Sequence, residues 1–245
     1  MPGHQRAGHP AGSPSFPERR IEVIGETVSC GSGNELSIAA PTYTGYGSKN
    51  EDNSKAYGAL LGRRFDAQVV TTCMSDRGVY RNLDGSTKDT LPKRYKRIFP
   101  DDDSEETVWD TRAYIPDVII LNLGVSDFSV RDASNTPSAP DPELFKAAYA
   151  NFIRELRGYY PLAKIICAVG PTMSNYYPKD RNHWTLIQQY VEDMVQTLED
   201  SNVFFIAHSP SSGPYGEDWH PTAKEHQRLA EELGTFIQTQ TGLGW

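Results

Sequence analysis

The chain has 245 residues, 38% of them hydrophobic and 11% aromatic, and a formal net charge of −8 at neutral pH. That length and composition fit one large domain with a substantial core better than two small ones. The negative charge and the lack of a dense basic run exclude a phosphate-backbone footprint, and with it nucleic acid as a partner.

Residues 1–19 are rich in Pro, Gly, Ser and His and lack the hydrophobic centre of a signal peptide, so they read as a flexible tail ahead of a single domain at 20–245. This leaves the compartment open, since a leader could have been removed. Residues 20–25 form a first short strand and 54–65 carry helical spacing through Tyr57, Leu60 and Leu61. The β-branched run 67–73 is a second strand, 75–86 a loop, 90–98 a basic helix and 101–106 an acidic loop. Residues 117–123 (Asp-Val-Ile-Ile-Leu-Asn-Leu) make the most apolar strand, suited to the sheet centre. A polar loop at 128–140 leads to an amphipathic helix at 142–159, with Asp141 as N-cap and Pro142 at the first helical position. Residues 163–169 and 202–207 complete the strands, and helices at 184–198 and 222–239 complete the alternation. Such a pattern predicts a three-layer α/β/α, flavodoxin-like fold with a five-stranded parallel sheet. The loops 128–140 and 172–182 read as mobile and fall near the strand C-ends. No apolar stretch approaches the length of a membrane span.

The three cysteines, Cys30, Cys73 and Cys167, are odd in number and widely spaced, which does not read as a disulfide framework, and no CxxC pair points to zinc. Cys167 lies in an apolar run and reads as buried, whereas Cys30 follows the first motif closely enough to lie near a site. The 13 tyrosines and 4 tryptophans suit sugar stacking and suit ordinary core and surface positions equally.

Four short segments sit where strands end. In Gly25-Glu26-Thr27 a strand turns into a helix whose first residue carries a hydroxyl; Thr27 is either an exposed nucleophile or only an N-cap. In Arg77-Gly78-Val79-Tyr80-Arg81, Gly78 would let a backbone N–H approach a substrate, or would serve only the turn, while Arg81 would hold a polar substrate group or pin the loop. In Gly124-Val125-Ser126-Asp127, Ser126 is a candidate oxyanion donor and Asp127 a carboxylate able to order the loop through backbone N–H groups. In Glu217-Asp218-Trp219-His220-Pro221, two carboxylates precede a histidine at spacings that would let one fix its tautomer, and Trp219 is a candidate substrate contact. The other five histidines lack this context; His4 and His9 fall in the tail and His226 reads as helix surface.

Taken in order, these segments resemble the SGNH (GDSL-type) hydrolases, and more narrowly the catalytic domain of carbohydrate esterase family two. The narrower likeness rests on residues 53–60, 78–82 and 215–221. The resemblance implies a metal-free, cofactor-free acyl hydrolase acting on a carbohydrate ester, without a membrane partner. It places Thr27 at the nucleophile position, Gly78 at the oxyanion glycine and His220 at the catalytic histidine, with Asp218 as the orienting acid and Glu217 in reserve. The sequence departs from the family in having Thr27 for serine and Ser126 for the oxyanion asparagine, and an exchange of volume between these two is expected. Ser29 is a weaker candidate for a relocated nucleophile. Two further readings are a carbohydrate-binding descendant without turnover and an acyltransferase.

Overall fold

The computed structural model describes residues 16–245 except 41, 103, 105 and 106. The body of the tail and part of the acidic loop therefore lie outside the described residues. In chain order the elements are β1 (Arg19–Gly25), α1 (Thr27–Cys30), α2 (Tyr57–Phe65), β2 (Ala67–Cys73), α3 (Leu91–Arg94), β3 (Val118–Asn122), α4 (Val125–Ser129), α5 (Pro142–Tyr159), β4 (Lys164–Val169), α6 (His183–Leu198), β5 (Val203–Ala207) and α7 (Ala223–Gln240), with short 3-10 turns between some of them.

The five strands are parallel in the order β2-β1-β3-β4-β5, as expected for a flavodoxin-like sheet. Alternation within the strands separates two apolar faces. Ile119, Leu121, Ile165 and Cys167 pack with Phe145, Phe152 and Ile153 of α5 and with Ile187 and Val191 of α6. Val118, Ile120, Ile166 and Ala168 pack with Tyr57 and Leu61 of α2 and with Leu229 and Leu233 of α7. A strand buried on both faces has no polar side, which is why β3 reads as a continuous apolar run.

Two expected helices are shorter in the structure. Residues 53–55 form a separate 3-10 turn in which the Asp52 carboxylate accepts from the Ser54 N–H, so α2 begins at Tyr57. The basic helix stops at Arg94, because the backbone of Lys96 and Ile98 pairs with Trp109 and Thr107 instead. At α5 the Asp141 carboxylate accepts from the Glu143 and Leu144 N–H groups, the N-cap expected from the sequence.

Strand β1 buries a carboxylate. Glu22 in β1 is 4% exposed and accepts from the Tyr95 hydroxyl at 2.9 and 3.1 Å. Burial lifts its carboxyl to about 7 against the pull of that hydrogen bond. The folded value lies above the unfolded value near 4.5, so the associated stability is fully present below about pH 4.5 and is lost as pH rises through about 7. A shift of that size corresponds to about 3 kcal/mol. Glu22→Gln is therefore expected to flatten the decline in melting temperature between pH 5 and pH 8. Equal declines in wild type and variant would show that Glu22 does not carry this pH dependence.

Candidate active site

The C-terminal ends of β1 and β3 lie side by side, with Gly25 opposite Asn122, at the point where the strand order reverses. This is where open α/β sheets place their sites. A Cβ on Gly25 would stand 2.1 Å from the Ser29 hydroxyl and 2.9 Å from the Asn122 carbonyl, so only glycine lets α1 fold back so tightly on β1. The turn leaves Thr27 as the first residue of α1, partly exposed. It lines a cavity of about 200 Å³ together with Asn122, Val125, Thr172, Trp219 and His220. Residues far apart in sequence, Thr27 and His220, thus share one small chamber.

A backbone group orients the His220 ring. Its Nδ1 lies 2.7 Å from the Glu217 carbonyl oxygen, which also accepts the His220 N–H at 2.9 Å. A carbonyl can only accept, so Nδ1 carries a proton and, in the neutral ring, Nε2 holds the lone pair a base needs. The turn that brings this carbonyl under the ring is strained: Asp218 and Trp219 both have left-handed backbone angles, with φ of 46° and 66°. For non-glycine residues that conformation costs roughly 1–2 kcal/mol each.

Several hydrogen bonds hold the turn against this strain, and they correct the expected triad. The Asp218 carboxylate accepts, through Oδ1, from the Thr44 N–H at 2.6 Å, the Gly45 N–H at 3.0 Å and the Thr44 hydroxyl at 3.1 Å, while His220 Nδ1 is held by the Glu217 carbonyl. Burial pushes its pKa up, but these donors outweigh burial and hold it below the usual range. The Glu217 carboxylate accepts from the Asn50 side chain at 2.9 Å, and neither acid is the partner of His220 Nδ1. Thr44, Gly45 and Asn50 carry no local motif, and only the folded loop reveals their part.

Ser126 also differs from expectation. Its N–H and its hydroxyl both donate to the Glu26 carboxylate, the N–H at 2.7 Å, while the Gly124 N–H donates to the other carboxylate oxygen at 2.7 Å. The Ser126 hydroxyl is thus committed to a buried acid rather than free for an oxyanion, and its contact runs to Glu26 rather than Thr27. Asp127, fully buried, accepts the N–H groups of Val79, Tyr80 and Arg81 at 2.8–2.9 Å. Burial lifts its carboxyl above the ordinary range despite those three donors. Arg81 donates to the carbonyls of Asp127 and Ser138, pinning two loops. Gly78 is buried beneath them, where a Cβ would meet the Arg81 carbonyl at 2.1 Å and the Asp127 carboxylate at 2.4 Å.

Three smaller expectations are corrected as well. Ser29 is buried with its hydroxyl 2.7 Å from that of Tyr57, which removes it as a relocated nucleophile. Cys30 and Cys73 form a disulfide with a Cα–Cα distance of 5.5 Å, because the end of α1 returns to the end of β2. Their wide spacing in sequence hides this proximity. His226 is fully buried rather than on the surface of α7; its Nδ1 accepts the Tyr57 N–H at 3.3 Å, and burial pushes its pKa down to about 4.

Beside the small chamber runs a cleft of about 820 Å³. The two share Val125, Thr172, Asp218 and Trp219 as a common wall. Trp219 is 46% exposed, and Tyr43, Tyr177 and Tyr215 face the same cleft. The loops 128–140 and 172–182 both contribute to its walls, through Ser129, Arg131, Pro137, Met173 and Tyr177. His183 lines it too; burial and the neighbouring Arg181 and Arg81 lower its pKa. Among the described residues, no three His, Cys, Asp or Glu side chains are grouped to hold a metal ion, and no helix is long and apolar enough to cross a membrane.

Known proteins resemble this chain in sequence and fold. Residues 37–228 match the model of the GDSL-like Lipase/Acylhydrolase family. The chain is 33% identical over 233 residues to Cellulase/esterase CelE of Acetivibrio thermocellus, covering 93% of this chain and 26% of that protein. It is 29% identical over 221 residues to an acetylxylan esterase / glucomannan deacetylase of Cellvibrio japonicus, covering 90% of this chain and 57% of that protein. The chain therefore spans less than two thirds of the curated relatives it matches. A family two carbohydrate esterase from Clostridium thermocellum, solved in complex with cellohexaose, superposes with a TM-score of 0.81 at 32% identity, covering 95% of this chain and 67% of that chain. Sequence and fold together show that the chain belongs to the GDSL-like lipase/acylhydrolase family, and it is similar to family two carbohydrate esterases within it.

Proposed function

We propose that the chain is an O-deacetylase of acetylated sugars or polysaccharides. The observation that carries this reading is the shared chamber of Thr27 and His220, with the imidazole held in the base-competent tautomer. The Thr27 hydroxyl attacks the ester carbonyl and His220 Nε2 takes its proton. The C–O bond to the sugar then breaks, and His220 returns the proton to the departing sugar oxygen. Water, deprotonated by the same nitrogen, releases acetate from Thr27. The backbone N–H groups of Thr27 and Gly78 hold the developing oxyanion, a role the committed Ser126 hydroxyl does not fill.

The chamber of about 200 Å³ suits a small acyl group, and the aromatic-walled cleft beside it suits the carbohydrate. Relatives whose names record acetylxylan esterase and glucomannan deacetylase support the same substrate class, as does one named cellulase/esterase. The test is acetate release from acetylated xylo- and glucomanno-oligosaccharides, beside Thr27→Ala. Release no faster than from Thr27→Ala overturns the reading; sugar binding without release would mark a binding protein, and acetyl transfer to a sugar alcohol a transferase. Trp219→Ala is expected to raise KM for the acetylated oligosaccharides roughly tenfold, equivalent to about 1.4 kcal/mol, and to change KM for p-nitrophenyl acetate far less. Equal effects on both substrates would remove Trp219 from the sugar site.

A further inference from the structure

Glu26 is a carboxylate 4% exposed, one residue before Thr27, and its burial must be compensated. The compensation comes from a single turn. Gly124 has φ of 117°, and a Cβ there would stand 2.8 Å from Ile187 and 3.3 Å from Phe145, so the turn requires glycine. With that conformation the N–H groups of Gly124 and Ser126 converge on the carboxylate, one on each oxygen, and the Ser126 hydroxyl adds a third donor. The Glu26 backbone is fixed as well, its N–H to the Asn122 carbonyl at 3.4 Å and its carbonyl to the Ser29 N–H at 2.9 Å. The side chain therefore spans from the start of α1 to the start of α4, two elements that leave adjacent strands. Thr27 follows at one end of this strut. At the other end Val125, between the two donating residues, forms a wall of the Thr27–His220 chamber.

We propose that Glu26 is the positioning residue of the acyl site, and that its long side chain and the short side chain of Ser126 form one matched unit setting Thr27 against the chamber wall. The inference rests on the esterase reading. It replaces the expected exchange between Thr27 and Ser126 with one between Glu26 and Ser126. Aspartate at 26 would fall short by one methylene, about 1.5 Å, taking 2.7 Å hydrogen bonds beyond useful length. Asparagine at 126 would be too long for the space that Glu26 fills. Together, a shorter acid and a longer donor restore the reach. Burial, and next the like charge of Asp127, lift the Glu26 carboxyl to about 7 against its three donors, in keeping with a group held for its contacts.

The experiment is a double-mutant cycle of Glu26→Asp and Ser126→Asn, read as kcat and KM on p-nitrophenyl acetate with melting temperature measured alongside. Each single variant is expected to lose about 10²-fold in kcat, the effect of a displacement of about 1 Å, with KM changed less than about threefold. The double variant should recover to within about tenfold of wild type. Additive losses overturn the proposal, as does a fall in melting temperature with kcat per folded molecule unchanged. If Glu26→Asp does not fold, Glu26→Gln keeps the length and replaces one acceptor oxygen with a donor facing the Gly124 or Ser126 N–H groups. It should lose about tenfold in kcat, and unchanged kcat overturns the proposal. A wild type without turnover on this ester or on acetylated sugars overturns the esterase reading, and positioning falls with it; an active wild type with an additive cycle overturns positioning alone.

Discussion

Replacing His220 by alanine is expected to lower kcat on acetyl esters by about 10⁴-fold or more, while Asp218→Asn lowers it by less than about tenfold. In a serine–histidine–aspartate triad the corresponding Asp→Asn change costs about 10⁴-fold, because the amide leaves the histidine in the wrong tautomer. Here the tautomer is set by the Glu217 carbonyl, 2.7 Å from Nδ1, which no side-chain substitution removes. Asparagine at 218 keeps an oxygen for the Thr44 and Gly45 donors and tolerates the left-handed backbone that position adopts. Asp218→Ala should do more harm than Asp218→Asn, since it releases the strained turn that carries the carbonyl. Steady-state kinetics on p-nitrophenyl acetate, with circular dichroism to confirm folding, decide the matter. A loss near 10⁴-fold in Asp218→Asn would restore the triad.

Removing the Cys30–Cys73 disulfide is expected to cost about 3–4 kcal/mol and to lower the melting temperature by about 10 °C. The half-cystines are 43 residues apart in sequence, and the freed loop gains that much entropy when the chain unfolds. Cys30 is the last residue of the four-residue α1 and Thr27 its first, so the bridge also secures the short helix bearing the nucleophile. Thermal unfolding of Cys30→Ser/Cys73→Ser beside the wild type, with and without reductant, measures the effect. Thiol titration of the unfolded wild type should find one reactive cysteine, Cys167, before reduction and three after it. Three thiols before reduction would show that the bridge does not form.

The architecture was legible because it is written in local patterns. The apolar run of β3, the alternation of strands with amphipathic helices and the Asp141-Pro142 helix start need no knowledge of distant neighbours. The four motif segments could likewise be assigned to strand ends, and the topology then brings Thr27 and His220 to one chamber. Side-chain partners proved less legible. Carboxylates two and three residues before a histidine suggest a triad by spacing, yet a turn with two consecutive left-handed residues presents the Glu217 carbonyl to Nδ1 instead. Ser126 occupies an asparagine position in the family pattern, but the Glu26 that claims its hydroxyl is 100 residues distant. Cys30 and Cys73 read as unrelated because nothing local shows that the end of α1 returns to the end of β2.

The sequence by itself determined the layer order, the parallel sheet and the positions of the hydroxyl and imidazole, since hydrophobic periodicity and turn residues act over a few neighbours at a time. Only the tertiary structure decided which acceptor orients His220, which acid Ser126 serves and which cysteines pair. Those choices depend on distances between segments far apart in the chain, and a hydrogen bond or disulfide forms only within a few ångströms and a narrow range of angles.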